Sequence, residues 1–399
     1  MKRTVFFVLL LLLAMLSLPH SGLATEAADI TRECRITSPA GKKEVAKMLD
    51  AKYKTYFRSG TNARALVEVF APEDTAIGCI SLKWYERVLP FRVISYGEMG
   101  VTGDQVIDNG FFAAYVPMPP DTTSLKIMAA DGVKGRLFIS DIRVYSTGEP
   151  PLEVQRWDPP CDRADLLVIA AHPDDELLFM GGTLPTYAGE QGYRVQVAYA
   201  VPALPIRRLE LLDGLWMCGV RNYPHMGHFR DTFTSTLKQA QKSWGKDKVD
   251  RFVAELYRCY RPFVVVTHDV NGEYGHGAHR ILADAAQTAV LLAADRAFIS
   301  PEGHEPWEID KLYLHLYPEG MLQMDWHVPL MAFDGKTALE VAEDAFALHT
   351  SQKQSRYKVE GGGPNDNSLF GLAYTKVGPD DMGGDFFEHI SELVHWGED

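Results

Sequence analysis

The chain has 399 residues, 46% hydrophobic and 23% charged, with a formal charge of −13 at pH 7. That length holds two domains or one large one, and the composition is that of an ordinary soluble globular protein. The negative balance, with no block of Lys or Arg, argues against nucleic acid and anionic membrane surfaces as partners.

In chain order, Lys2 and Arg3 lead into an apolar run, residues 5–16, too short to span a bilayer. Pro19 and the small-residue stretch Ser21-Gly-Leu-Ala24 follow, so residues 1–24 read as a secretory signal. Its cleavage takes the charge from −13 to −15, leaves no integral membrane segment in the mature chain, and places that chain in the periplasm or outside the cell. Residues 30–148 carry short alternating runs at 65–70, 91–95, 112–116, 124–128 and 135–145, separated by turn formers such as Pro72-Glu-Asp74 and Ala130-Asp-Gly132. That spacing predicts an all-β sandwich. Residues 149–162 contain Pro150, Pro151, Pro159 and Pro160, which continue neither helix nor central strand and so mark a linker. Residues 163–399 alternate apolar strands with helical segments, predicting an α/β domain with a Rossmann-like, mainly parallel sheet.

The five cysteines, Cys34, Cys79, Cys161, Cys218 and Cys259, include no CxxC pair, so neither a zinc knuckle nor a thioredoxin-type pair is encoded. An oxidising compartment allows two disulfides and one free thiol, although Cys218 and Cys259 also read as unpaired core residues of helical stretches.

The chemistry concentrates at two strand ends. Leu166-Leu-Val-Ile-Ala-Ala171 reads as a buried strand and runs directly into His172-Pro-Asp-Asp-Glu176. Val264-Val-Val-Thr-His-Asp269 is a second such strand, leading into Gly275-His-Gly-Ala-His279. Ligands in open parallel sheets bind beyond the carboxyl ends of the strands. A helix N-cap explains one Asp at 174 or 175, but not a His with two carboxylates. His276 and His279 share one side of a helix that begins there. His225-Met-Gly-His228 has the same spacing, so that signal counts only beside the first strand end. Strand ends supplying His and Asp to one divalent metal point to hydrolysis.

These segments resemble the PIG-L/LmbE-like family of metal-dependent N-deacetylases, which share a His-Pro-Asp-Asp-Glu strand end and a later Gly-His-x-x-His. Between them, Pro205-Ile-Arg-Arg-Leu-Glu-Leu-Leu212 with Cys218-Gly-Val220 resembles the family's Arg-x-x-Glu helix ending in Leu-Gly-Val. Gly227-His-Phe-Arg-Asp231 resembles its downstream loop carrying Asp. The resemblance covers roughly residues 163–290 and departs at Cys218, where Leu is usual, and at the Gly-Ala between the histidines. It implies a zinc held by His172, Asp175 and His279, a donor set that also suits Fe2+. It implies Asp174 as general base toward a metal-activated water, and His276 as oxyanion stabiliser or acid to the leaving amine. Tyr274 is then a mobile hydrogen-bond donor, and Arg207 and Asp231 bind substrate, with an Arg207–Glu210 ion pair as the structural alternative. The implied substrate is an N-acetylglucosamine-containing sugar or glycoconjugate. Alternatives are an amidase on another N-acyl or cysteinyl-sugar conjugate, and a glycan-binding protein with an inactive α/β domain.

Remaining candidates read as structural or peripheral. His268 and Asp269 read as a solvated strand end, with support of the metal ligands as the alternative; His315 and His327 are ordinary core or surface histidines, and Trp307 and Trp326 read as buried packing, with stacking on a sugar ring as the alternative. His349, in Ala347-Leu-His-Thr-Ser-Gln352, resembles part of a downstream helix of some family members and is a candidate to reach substrate. Gly361-Gly-Gly-Pro-Asn-Asp-Asn367 reads as a flexible loop over the site. The N-terminal segment loosely resembles a discoidin-like, galactose-binding sandwich through Lys52-Tyr-Lys-Thr-Tyr-Phe-Arg-Ser59 and its last strand. Exposed Tyr53, Tyr56 or Phe57 would suit that role. No feature of the sequence speaks to oligomeric state.

Overall fold

The computed structural model describes residues 25–352 and 357–390. The expected signal segment therefore lies outside the described residues. Among those described, no helix is long and apolar enough to cross a membrane.

The first part of the chain forms strands β1 (Arg35–Thr37), β2 (Phe57–Arg58), β3 (Leu66–Phe70), β4 (Ile77–Trp84), β5 (Phe91–Gly97), β6 (Gly100–Ile107), β7 (Ala113–Pro117), β8 (Ser124–Ala129) and β9 (Phe138–Ser146). They build two antiparallel sheets, β1-β3-β8-β5-β6 and β2-β9-β4-β7. Alternation places Val67, Val69, Val93 and Ile127 of one sheet in a shared core with Ile80, Leu82, Ile142 and Val144 of the other. Strands β1, β2, β4 and β6 were not among the runs expected from the sequence. In β4, Gly78 and the adjacent buried pair Cys79-Ile80 blur the period-2 pattern. In β6 the strand lies at a sheet edge and is mostly exposed, so it needs no apolar face to be stable.

The second part contributes β10 (Leu166–Ala170), β11 (Val195–Tyr199), β12 (His225–Met226), β13 (Val264–Thr267), β14 (Lys311–His315), β15 (Met321–Gln323) and β16 (Leu369–Thr375). Their order is β12-β11-β10-β13-β14-β16-β15. Pairings from β12 through β14 are parallel, whereas β16 and β15 add antiparallel. The sheet is thus mixed, not parallel throughout. β10 is covered on both faces, with Leu166, Val168 and Ala170 in one core cluster and Leu167, Ile169 and Ala171 in the other. That double burial is why the strand reads as continuously apolar. The chain runs outward from β10 to β11 and β12, then returns to the other side of β10 as β13. The strand order reverses between β10 and β13, which opens a crevice at their carboxyl ends.

The Pro-rich stretch is a packed strap, not a free linker. Val154 and Gln155 are buried, Leu152 O accepts from Trp216 Nε1 at 2.6 Å, and Asp158 N donates to Arg221 O at 3.0 Å. The sandwich itself rests on the Pro205–Met217 helix. Tyr53 Oη donates to Asp213 Oδ2 at 2.6 Å, Lys83 pairs with the same carboxylate, and Arg208 lies 3.7 Å over the Phe112 ring. Tyr53 therefore serves the interdomain contact, Phe57 is fully buried, and Tyr56 stacks on Tyr85 at 4.0 Å. These three aromatics make no exposed sugar-stacking face. All five cysteines are unpaired, so the two-disulfide arrangement is not formed.

Candidate active site

The end of β10 delivers His172, buried beside Asp174 and Asp175. Asp174 opens the short Asp175–Leu178 helix with φ 108°, a left-handed conformation that costs a non-glycine residue about 1–3 kcal/mol. Its carboxylate makes no cap hydrogen bond, so the N-cap explanation fails. Instead it faces Arg207 Nη2 at 3.1 Å, and that nitrogen also donates to Pro173 O. The Arg207–Glu210 pair does not form. Glu210 is taken by Thr350 Oγ1 at 2.7 Å, Ser351 N at 2.8 Å and Ser351 Oγ at 2.5 Å.

Asp175 Oδ2 is the focus of the second set of contacts. It accepts from His172 N at 2.8 Å and lies 3.2 Å from His172 Nδ1 and 3.3 Å from His279 Nε2. One ligand atom from each of His172, Asp175 and His279 falls within 4.8 Å of the others, and all three residues are buried. His279 sits in the first turn of the Gly277–Ala294 helix, with its Nδ1 2.7 Å from Glu273 Oε2. In the neutral ring the proton on that Nδ1 would leave Nε2 as a lone pair facing a carboxylate, and Nε2 is buried with no geometrically formed hydrogen bond. A cation, either a second proton or a metal, reconciles the two, and two His with one carboxylate is a divalent-metal donor set. Burial opposes a charge on His279, but Asp175 and Glu273 outweigh it and raise its pKa to about 10. A proton thus occupies the position that a metal would take.

The two adjacent aspartates are driven apart. Burial pushes Asp174 up to about 7, against the pull of Arg207 and with the push of Asp175. Burial acts on Asp175 too, but His279 and His172 hold it well below the ordinary carboxylate range. Pairs of carboxyls separated in this way are what acid–base chemistry requires.

His276 is the residue before that helix, and its Nδ1 accepts from Ala278 N at 3.1 Å. Its proton therefore resides on Nε2. Burial, with His279 and His172 nearby, lowers its pKa to about 3, so the ring is a neutral donor and not an acid. Tyr274, also left-handed at φ 45°, is 40% exposed and stacks on Tyr357 at 4.6 Å. Asp231 Oδ1 lies 3.7 Å from His172 Nε2, with its side chain 56% exposed at the rim. The eight residues singled out from the sequence thus gather around one crevice.

Four residues were missed or misread. Glu273 is fully buried and contacts His268, His279 and His315; its only sequence signal is a lone carboxylate between two His-bearing segments. His268 takes the supporting role that was the alternative reading, not that of a solvated strand end, because its Nε2 accepts from Ala171 N at 2.9 Å in the core and its Nδ1 meets Glu273. His315 is a member of the same buried cluster. Phe233 is 69% exposed with its ring 5.0 Å from that of His276; Gly277 N donates to Thr234 O at 2.7 Å and pins its loop there. His349 is buried behind Arg207 and does not reach the crevice surface. Trp326 and Trp307 donate to Asn367 O and Pro262 O, as packed residues do. The 361–367 loop is anchored at its end, where Asn367 is buried and Asp366 O meets His315 Nε2 at 2.9 Å.

Fold and site together define a metal-hydrolase-like α/β domain with its donors at the switch point of the sheet. The family model described as PIG-L: GlcNAc-PI de-N-acetylase matches residues 167–290. A 1D-myo-inositol 2-acetamido-2-deoxy-alpha-D-glucopyranoside deacetylase of Streptomyces scabiei is 33% identical over 186 residues, 39% of this chain and 57% of the relative. A protein of Catenulispora acidiphila with the same activity in its name is 31% identical over 230 residues, 50% of this chain and 70% of the relative. The chain thus spans little more than half of the first relative's length and over two thirds of the second's. A solved N,N'-diacetylchitobiose deacetylase of Pyrococcus horikoshii is 20% identical, with a TM-score of 0.37 over 48% of this chain and 72% of that one. The chain belongs to the PIG-L family.

Proposed function

We propose that the protein is an exported, zinc-dependent N-deacetylase that removes the acetyl group from an N-acetylglucosamine-containing sugar or glycoconjugate. The observation that carries this reading is His279 Nε2, unpartnered and facing Asp175 beside His172, with Asp174 held next to them by Arg207. The relatives' deacetylation of a 2-acetamido-2-deoxy-glucopyranoside supports the sugar. The leader-like residues 1–24 support export. His172, Asp175 and His279 would hold the metal, with Zn2+ preferred over Fe2+ for a hydrolase. When bound there, it supplies Lewis-acid polarisation of a carbonyl and acidification of water.

The chain's own groups do the rest. Asp174, poised near neutrality, accepts a proton from the attacking water and can return it to the departing amine. Arg207 fixes the carboxylate through Oδ1 and, by its charge, keeps it from rising further. His276 Nε2–H donates to the oxyanion that develops on the acetyl carbonyl, a role suited to a neutral ring. Tyr274 adds a hydroxyl from the rim, and Asp231 accepts from a sugar hydroxyl there. The proposal is tested by acetate release from N-acetylglucosamine, chitin oligomers, peptidoglycan fragments and glycosyl-inositols by zinc-loaded protein. Release abolished by His279→Ala is expected. No release from any of them by protein with zinc bound would sink the N-acetyl-sugar reading.

A further inference from the structure

Two buried groups in this crevice have the composition of a metal site: His172, Asp175 and His279, and a second formed by His268, Glu273 and His279. Hydrogen bonding separates their roles. His268 Nε2 accepts from Ala171 N at 2.9 Å, so its proton is on Nδ1, which donates to Glu273 Oε2 at 2.9 Å. A ring whose one nitrogen is protonated and whose other is committed to a backbone N–H cannot ligate a metal. The second group is therefore an anchoring cluster.

Its third histidine braces the far oxygen. His315 Nδ1 lies 2.7 Å from Glu273 Oε1, and its Nε2 lies 2.9 Å from Asp366 O, which ties the ring between β14 and the 361–367 loop. Asp269 N completes the shell by donating to Glu273 Oε1 at 3.1 Å. Glu273 thus accepts four hydrogen bonds, from the end of β13, the end of β14 and the first turn of the Gly277–Ala294 helix. All of it is fully buried apart from Asp269. A lone buried carboxylate there would be costly; accepting four hydrogen bonds, it is stable.

Resting on the reading of His172, Asp175 and His279 as metal ligands, we propose that Glu273, braced by His315, is the positioning residue of the metal site. It holds His279 in the Nδ1–H tautomer, with Nε2 aimed at Asp175, and makes that nitrogen a stronger donor. Such outer carboxylates orient metal-binding histidines and raise their basicity, and their loss weakens metal binding 10–100-fold. His268 and His315 fix the carboxylate on its other sides, so the His279 ring has no alternative orientation.

The test compares zinc affinity, by chelator competition, in the full wild-type chain and in Glu273→Gln and His315→Gln. Glu273→Gln is expected to bind zinc about 10–100-fold more weakly, with the substrate KM at saturating zinc unchanged. His315→Gln is expected to show a smaller loss in the same direction. Zinc affinity of folded Glu273→Gln within twofold of wild type would overturn the proposal, while wild-type protein that binds no zinc would overturn the functional reading instead. If Glu273→Gln does not fold, nitrogen-15 NMR of histidine-labelled, zinc-loaded wild type decides. A protonated, hydrogen-bonded His279 Nδ1 is expected, and a deprotonated one would overturn the assignment.

Discussion

The Pro205–Met217 helix carries a charged contact at each end, and the two ends behave in opposite ways. Near its C-terminus, Asp213 accepts from Tyr53 Oη and Gln155 Nε2, both at 2.6 Å, and pairs with Lys83. Its hydrogen-bond partners are all donors. At the N-terminus, Arg207 reaches Asp174, whose neighbour Asp175 faces His279 Nε2 at 3.3 Å. A carboxylate surrounded by fixed donors is interdomain glue; one that faces an exchangeable ring nitrogen is a site prepared for a cation, proton or metal. Burial alone does not separate them, because both are largely buried.

The largest effect expected to sharpen this contrast is at Asp174. Asp174→Asn should lower kcat by about 10²–10⁴-fold with bound zinc unchanged, read by steady-state kinetics and metal analysis on one sample. A matching loss of zinc would instead make Asp174 a ligand. At the other end of the helix, Asp213→Ala should lower stability by about 2–3 kcal/mol, because it strands the largely buried Lys83. Denaturant unfolding measures that loss, and activity per folded molecule should stay within about twofold.

The pH dependence of metal uptake tests the cation position. His279, with a pKa raised to about 10, is protonated at neutral pH without metal, so binding must expel that proton. Zinc affinity should therefore rise up to about tenfold per pH unit from near neutrality toward pH 10. Calorimetry in buffers of different ionisation heat should count about one proton released near pH 7. No release would place the metal elsewhere. The smallest effect concerns the rim. Phe233→Ala should change stability by less than about 0.5 kcal/mol, as expected for an exposed ring. It should raise KM for a disaccharide substrate by about 2–10-fold, the value of one stacking contact. Equal KM values would make the ring incidental.

Local sequence carried much of this. Continuous apolarity of 166–171 and 264–267 announces strands buried on both faces, and the polar residues at their ends announce the crevice. His172, Asp174 and Asp175 were legible because they lie within a few residues of the first strand end, and His276 and His279 because their i, i+3 pair follows the second. Arg207 was legible only as a choice between substrate and Glu210, and its partner Asp174 was not, because the fold brings the two together from 33 positions apart in sequence. Glu273, His268 and His315 were not legible as a cluster, because β14 joins it from 42 residues beyond Glu273.

The sequence by itself determined the periodicities, hence a sandwich followed by an α/β domain, and the residue types at the strand ends. Those follow from local sterics and from which side chains leave water. The tertiary structure decided which acceptors face one another, which carboxylate is satisfied, and which nitrogen of each histidine carries the proton. Those depend on hydrogen-bond partners and desolvation supplied by distant segments, and no local pattern encodes them.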